Sequence, residues 1–254
     1  MKKIFIVLFA LTFVAMPCMA EQQKRISSDG LQEELKLESA IVNDDVTAVK
    51  YWLERGAEIT IRSGGGLWGM GYVINPLGRA IEKETFYKKA DNNLAIIQLL
   101  LDYGADMNED FVEHDSALMK AVQKAEEKIY VSGYNPNDLE IRKLKLLLDN
   151  GAKKHILGKA DKKILYPAIS IAGKSLDLAK LLLSYDIPVR KSDIKYAKQL
   201  QEEAMGKKTA YNYNRLVELL ESKRSQEREE AKRLFLEEWQ RSHETLLNDP
   251  NLYK

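Results

Sequence analysis

Apolar positions along this chain bunch into short dense runs that recur at intervals, each followed by a small residue and a polar stretch. The densest is LAIIQLLLDYGADMN, Leu94 to Asn108, with apolar residues at 96, 97, 99, 100 and 101. That density exceeds the single stripe of a surface helix and predicts a helix buried on more than one side. Gly104 stands three residues after Leu101, where a helix needs a residue tolerant of positive φ in order to stop. Ala105 to Asn108 then leaves as an extended turn.

The unit repeats. VKYWLERGAEIT (Val49 to Thr60) places its glycine at Gly56, LKLLLDNGAKKH (Leu144 to His155) at Gly151, and AKLLLSYDIPVR (Ala179 to Arg190) puts Asp186 in that slot. A fainter copy, LVELLESK, lies at Leu216 to Lys223. Ahead of each strong copy comes a smaller apolar pattern, ending at Ala40, Ala80, Ala121 and Ala172. Each module therefore reads as a helix pair. Neither helix can bury its apolar side without a neighbouring module.

Pro76-Leu77 with Ala80, and Gly104-Ala105-Asp106 with Asn108, resemble the T-P-L-H-x-A and G-A-D-x-N signatures of the ankyrin repeat family. Ala40 to Gly56 is 16 residues and Gly104 to Ala117, in the Pro slot, is 13, both as the roughly 33-residue repeat of that family requires. The glycines stand 48 and 47 apart, the Thr and His of T-P-L-H are absent, and the fourth repeat carries Asp186 for Gly. Without that Thr and His the turns are expected to be looser than consensus ones. The resemblance covers roughly residues 31 to 223. It implies an all-α, ankyrin-like helical solenoid of about four to five helix pairs, and it names no reaction.

Residues 1 to 20 carry two lysines, an apolar run from Ile4 to Met16, then Pro17 and Ala20, which predicts a secretory signal cleaved after Ala20. The run of 13 falls short of the roughly 20 apolar residues of a retained membrane helix. Ala15 and Pro17 ahead of Cys18 depart from a lipobox and disfavour lipidation. Cleavage takes Lys2 and Lys3, so 39 basic residues become 37 against 38 acidic ones. No electrostatic case for nucleic acid survives. The single Cys leaves as well, so core packing alone must hold the mature chain.

Residues 21 to 30 read as a flexible leader, residues 31 to 223 as the repeats, and residues 224 to 254 as a charged helix and tail. Between Thr60 and Asn75, five glycines interleave with Leu67, Trp68, Met70 and Tyr72 in a turn about seven residues longer than the family needs. Two readings stay open: a cover over the adjacent turn, or a finger whose aromatic and Met tip anchors a partner. Insertions between helices are expected at Glu84 to Asn93 and at roughly Glu126 to Asp138, their Phe86, Tyr87, Tyr130 and Tyr134 serving local packing. Ser192-Asp193 is expected to cap a helix opening the last pair. Beyond it, Ala231, Phe235, Trp239, Ser242 and Leu246 share one stripe, which reads as a capping helix over the end of the stack.

Chemistry finds little to work with. His114, His155 and His243 lack partners at ligand spacing, so neither metal nor cofactor is expected. AGKS at Ala172 to Ser175 lacks the leading glycine of a phosphate loop, since position 168 is Ala168. SDIK at Ser192 to Lys195 lacks the companion motifs of penicillin-binding enzymes. Adjacent acids such as Asp44-Asp45 diverge by about 100° on a helix and form no dyad.

The expectation is thus a non-catalytic, protein-binding protein of the bacterial cell envelope, exported to the periplasm and without stable membrane insertion after cleavage. Its partner would be another protein, gripped by first-helix residues Glu38, Arg79 and Lys120 and by turn-tip residues Arg62, Trp68, Met70, Tyr72, Phe111 and His155. One specific form is an immunity protein against a periplasm-acting toxin. The alternatives are a scaffold or stabiliser of an envelope enzyme or assembly, or a secreted host-directed effector.

Overall fold

A computed structural model describes residues 28–59, 61–63, 72–83, 89–107, 116–152 and 163–247. Residues 1–27, where the signal and most of the leader are expected, and the last seven residues lie outside these. Ten helices occupy the described residues, with one short antiparallel ladder, β1 (Ile61–Ser63) against β2 (Tyr72–Ile74), Ile61 facing Ile74.

Sequence order sorts the helices into packed pairs: α1 (Ser28–Val42) with α2 (Val46–Glu54), α3 (Pro76–Glu82) with α4 (Ala90–Asp102), and α5 (Ala117–Ser132) with α6 (Leu139–Asp149). α7 (Tyr166–Ser170) with α8 (Asp177–Ser184) and α9 (Lys191–Glu203) with α10 (Ala210–Leu247) complete the set. First helices touch in succession, α1 to α3 to α5 to α7 to α9, and second helices α2, α4 and α6 do likewise. One apolar cluster runs through all five pairs from Leu37 to Leu220, so no pair keeps a core of its own.

The stops work as the glycine pattern implies. Gly56, Gly104 and Gly151 take φ of 85°, 91° and 86°, and Asp186 occupies the same place at 58°. The residue after the stop bonds back to the helix: Ala57 N to Trp52 O at 3.1 Å, Ala105 N to Leu100 O at 2.9 Å, Ile187 N to Leu182 O at 3.3 Å. These bonds satisfy carbonyls that a helix end leaves orphaned. Asp186 is strained there as Gly would not be, and Lys223 Nζ holds its carboxylate at 2.7 Å.

Starts are capped despite the missing Thr and His. Asn75 Oδ1 accepts from Gly78 N at 3.0 Å with Pro76 opening the helix, and Ser116 Oγ accepts from Met119 N at 3.1 Å. Short polar side chains thus supply the same orphan donors with a partner.

Three expectations are corrected. Glu126 to Asp138 is not an inserted loop: α5 runs on to Ser132 because Val122, Ala125 and Ile129 continue its buried face, and Gly133, at φ 78°, stops it. Ala90 to Asn93, assigned to the first insertion, form the opening turn of α4, with Asn93 fully buried and bonded to Ala80 O. The capping helix is also revised. The buried positions of α10 lie between residues 210 and 227, where it forms the last pair with α9, while residues 228–241 are exposed throughout.

Candidate functional site

Among the described residues, the row of first helices carries two hollows. The larger, about 570 Å³, lies over α1, α3 and α5 and is lined by Val42, Arg79, Glu82, Lys83, Lys120, Gln123, Lys124 and Glu127. Small Ala80, Ala117 and Ala121 sit buried beneath it and let the helices approach, so long polar side chains form its walls. Arg79 Nε and Nη2 donate to Glu38 Oε1 at 3.2 and 3.1 Å. Lys120 pairs with Glu82 at 3.2 Å, Lys124 with Glu127 at 3.0 Å, and Lys83 with the buried Asp44 at 2.6 Å. The exposed pairs contribute little to stability, so these charges are available for recognition.

Beneath the groove, the carbonyls ending each first helix are taken by donors of the next module. Lys83 Nζ donates to Ile41 O of α1 at 3.2 Å. Lys143 on α6 is fully buried and donates to Ile81 O at 3.0 Å and Lys83 O at 2.8 Å, with Glu140 at 3.2 Å. Burial holds the Lys143 pKa below its usual value, against the pull of Glu140. Lys174 Nζ donates to Tyr130 O of α5 at 3.1 Å and lies 3.5 Å from the centre of that tyrosine ring. A cation at a helix C-terminus is favoured by the dipole as well as by the bond.

The second hollow, about 390 Å³, exists because α7 has five residues where α5 has 16 and α9 has 13. The longer neighbours overhang it. Glu126 and Tyr130 form one wall, Leu200 and Glu203 the other, and Ile171, Gly173 and Tyr213 the floor. A Cβ on Gly173 would stand 3.0 Å from the Tyr213 ring and 3.2 Å from Thr209, so a larger residue there needs those side chains to give by a few tenths of an ångström. Glu126 bonds the Ser170 hydroxyl, and burial raises its carboxyl above the ordinary range. Tyr213 OH donates to Ser170 O at 3.0 Å.

Of the residues singled out from sequence, Glu38, Arg79 and Lys120 meet at the first groove. Arg62 and Tyr72 fall in β1 and β2, opposite Val73 and Ser63, and the turn that joins the two strands lies outside the described residues. Trp68, Met70, Phe111 and His155 lie outside the described residues, as do His114, Phe86 and Tyr87. Tyr134 packs against the core as expected, but Tyr130 is 60 % exposed and walls the second hollow instead of filling space. AGKS forms the turn after α7, Ser175 Oγ accepting from Asp177 N at 3.1 Å. The cap on α9 is reversed: Asp193, at the third helical position, accepts from Arg190 N at 2.7 Å.

Sequence reading missed Lys143, because a lysine among leucines on a helix reads as a solvated face. Its only signal is position, since Leu139, Leu146 and Leu147 stand three or four residues from it on the same side of the helix. Among the described residues no group of three or more His, Cys, Asp or Glu could hold a metal ion, and no helix is long and apolar enough to cross a membrane. No protein-family model matches the sequence, and no curated protein matches it.

Proposed function

We propose that this chain is an ankyrin-like helical solenoid that acts without catalysis, recognising a protein partner through its row of first helices and the turn tips beside it. The observation that carries the reading is that first helices follow one another through five pairs over one continuous core, leaving two open hollows on a single face. Such a preformed surface loses little freedom on association. The N-terminal pattern of lysines, apolar run and Ala20 supports action in the periplasm. Immunity against a toxin acting there is the specific form that fits an exported, cofactor-free binder.

Affinity capture from envelope extract tests this, with Arg79→Ala/Lys120→Ala as the control. The double variant is expected to lose about tenfold or more of the captured partner, while Tm stays within about 2 °C because exposed ion pairs contribute little. Equal capture by both proteins would sink the assignment of this face. The activity of the captured protein, toxin or resident enzyme, decides between immunity and scaffold.

A further inference from the structure

The cleft over α7, about 390 Å³, combines two chemistries. Ile171, Leu200 and Ala204 supply apolar surface, and each wall carries one carboxylate, Glu126 on α5 and Glu203 on α9. Glu126 is partly buried and accepts from the Ser170 hydroxyl through Oε1, while its Oε2 takes no hydrogen bond from a described residue. Glu203 is exposed, and its Oε1 accepts from Gln199 Nε2 of its own helix at 3.0 Å. The field of these acids reaches the phenols beside them. The Tyr196 pKa is raised by burial first and then by charges that include Glu126 and Glu203, and that of Tyr213 by burial and then by Glu203, against the Gly173 backbone bond.

Two cations share the lining. Lys174 is held at the end of α5, by the Tyr130 carbonyl at 3.1 Å and over the Tyr130 ring at 3.5 Å, where the helix dipole also favours it. Lys207 stands exposed on the turn after α9 and opposes any cation that enters. What fits such a lining follows from what it would do to Glu126. An apolar side chain takes water from that carboxylate and returns no donor. An acidic one meets two charges of its own sign. A long basic side chain lays its aliphatic stem on Ile171 and Leu200 and brings a charged donor to the acids.

We propose that the cleft over α7 receives an arginine or lysine side chain of the protein partner, its stem on Leu200 and Ile171 and its charged head turned to Glu126 and Glu203. This names the partner's chemistry at one point and rests on the reading of the first-helix row as the binding face. The groove over α3 differs in kind, since each of its carboxylates already has a lysine or arginine of this chain beside it.

The test is an NMR titration of the purified chain with N-acetylated amino-acid amides, so that only the side chain of the probe varies. The arginine or the lysine amide is expected to saturate at about 1–10 mM, moving the signals of Ser170, Leu200 and Glu203 and leaving those of Arg79 and Lys120 in place. Norleucine amide is expected to bind about tenfold more weakly, and glutamate amide not to bind. Glu126→Gln with Glu203→Gln should weaken the basic probe about tenfold. Lys207→Ala should strengthen it about twofold, a gain that a misfolded variant does not imitate. Cleft signals that ignore both basic amides, norleucine binding as tightly, or binding indifferent to the two Gln substitutions would each overturn the proposal. Envelope capture that depends on Arg79 and Lys120 without any amide binding overturns this pocket alone, whereas amide binding with capture indifferent to those two residues overturns the earlier assignment and leaves the pocket standing.

Discussion

The carbonyl ends of α3 and α7 are tied to the next module in opposite ways. At α3, Ile81 O and Lys83 O meet a buried ammonium, Lys143, arriving from α6. At α7, Ser170 O meets the phenol of Tyr213 and Gly173 O meets the amide of Asn212, both from α10. Removing an ammonium from water costs several kcal/mol, and only a complete set of acceptors offsets that. A phenol or an amide carries no such debt. The groove over α3 therefore rests on an all-or-none contact, whereas the cleft over α7 rests on neutral ones that can be trimmed singly. Two hollows on one face thus differ in how much substitution their foundations tolerate.

The largest effect that would test this contrast belongs to Lys143. Lys143→Met keeps the stem but takes the ammonium away from two helix-end carbonyls and from Glu140. A loss of about 3 kcal/mol is expected, which lowers Tm by roughly 6–12 °C in a chain of this size. Urea or thermal unfolding measures it. A loss under about 1 kcal/mol would mean that those carbonyls have other donors, and the difference between the two ends would vanish.

Tyr213→Phe is the matching change at α7. The ring stays against Gly173 and only the hydroxyl bonded to Ser170 O at 3.0 Å is lost. About 1 kcal/mol is expected for one neutral hydrogen bond. A cost equal to that of Lys143→Met would place both ends in the same class.

The contrast also shows what a sequence discloses. Helix stops were legible because positive φ admits few residues, so Gly56, Gly104 and Gly151 announce themselves, and even Asp186 could be placed by spacing from its leucines. Pairing of helices followed from apolar density, and Glu38, Arg79 and Lys120 were brought to one face by equal positions within their modules. Lengths were not legible. The continuation of α5 depends on Val122, Ala125 and Ile129 having a neighbour to bury against, and charged Glu126, Glu127 and Lys128 among them gave a loop-like reading. The shortness of α7, which makes the second cleft, likewise depends on the overhang of α5 and α9. Nor does the stripe at Ala231, Phe235 and Trp239 reveal whether a neighbour covers it, since the period is the same in both cases.

The smallest expected effect lies in the cleft, at Glu126. Burial raises its folded pKa above the model-compound value of 4.5, with Ser170 pulling the other way. In the unfolded chain the group titrates near its ordinary value. As pH falls through the folded pKa, the native state takes up its proton first. Native stability from this group therefore rises as pH falls, until the unfolded carboxyl is protonated too, and it is lowest where both states are ionised. Glu126→Gln removes that dependence while keeping a bond to Ser170 possible. At pH 7 the variant is expected within about 0.5 kcal/mol of wild type. On acidification toward 4.5, wild type should gain on the variant. Other titrating groups are common to both proteins and cancel in the difference, so paired melting curves isolate it. A difference that stays flat, or that moves in favour of Gln at lower pH, would show that the wall of the cleft is wet and that its carboxylate is as easily satisfied as those lining the groove over α3.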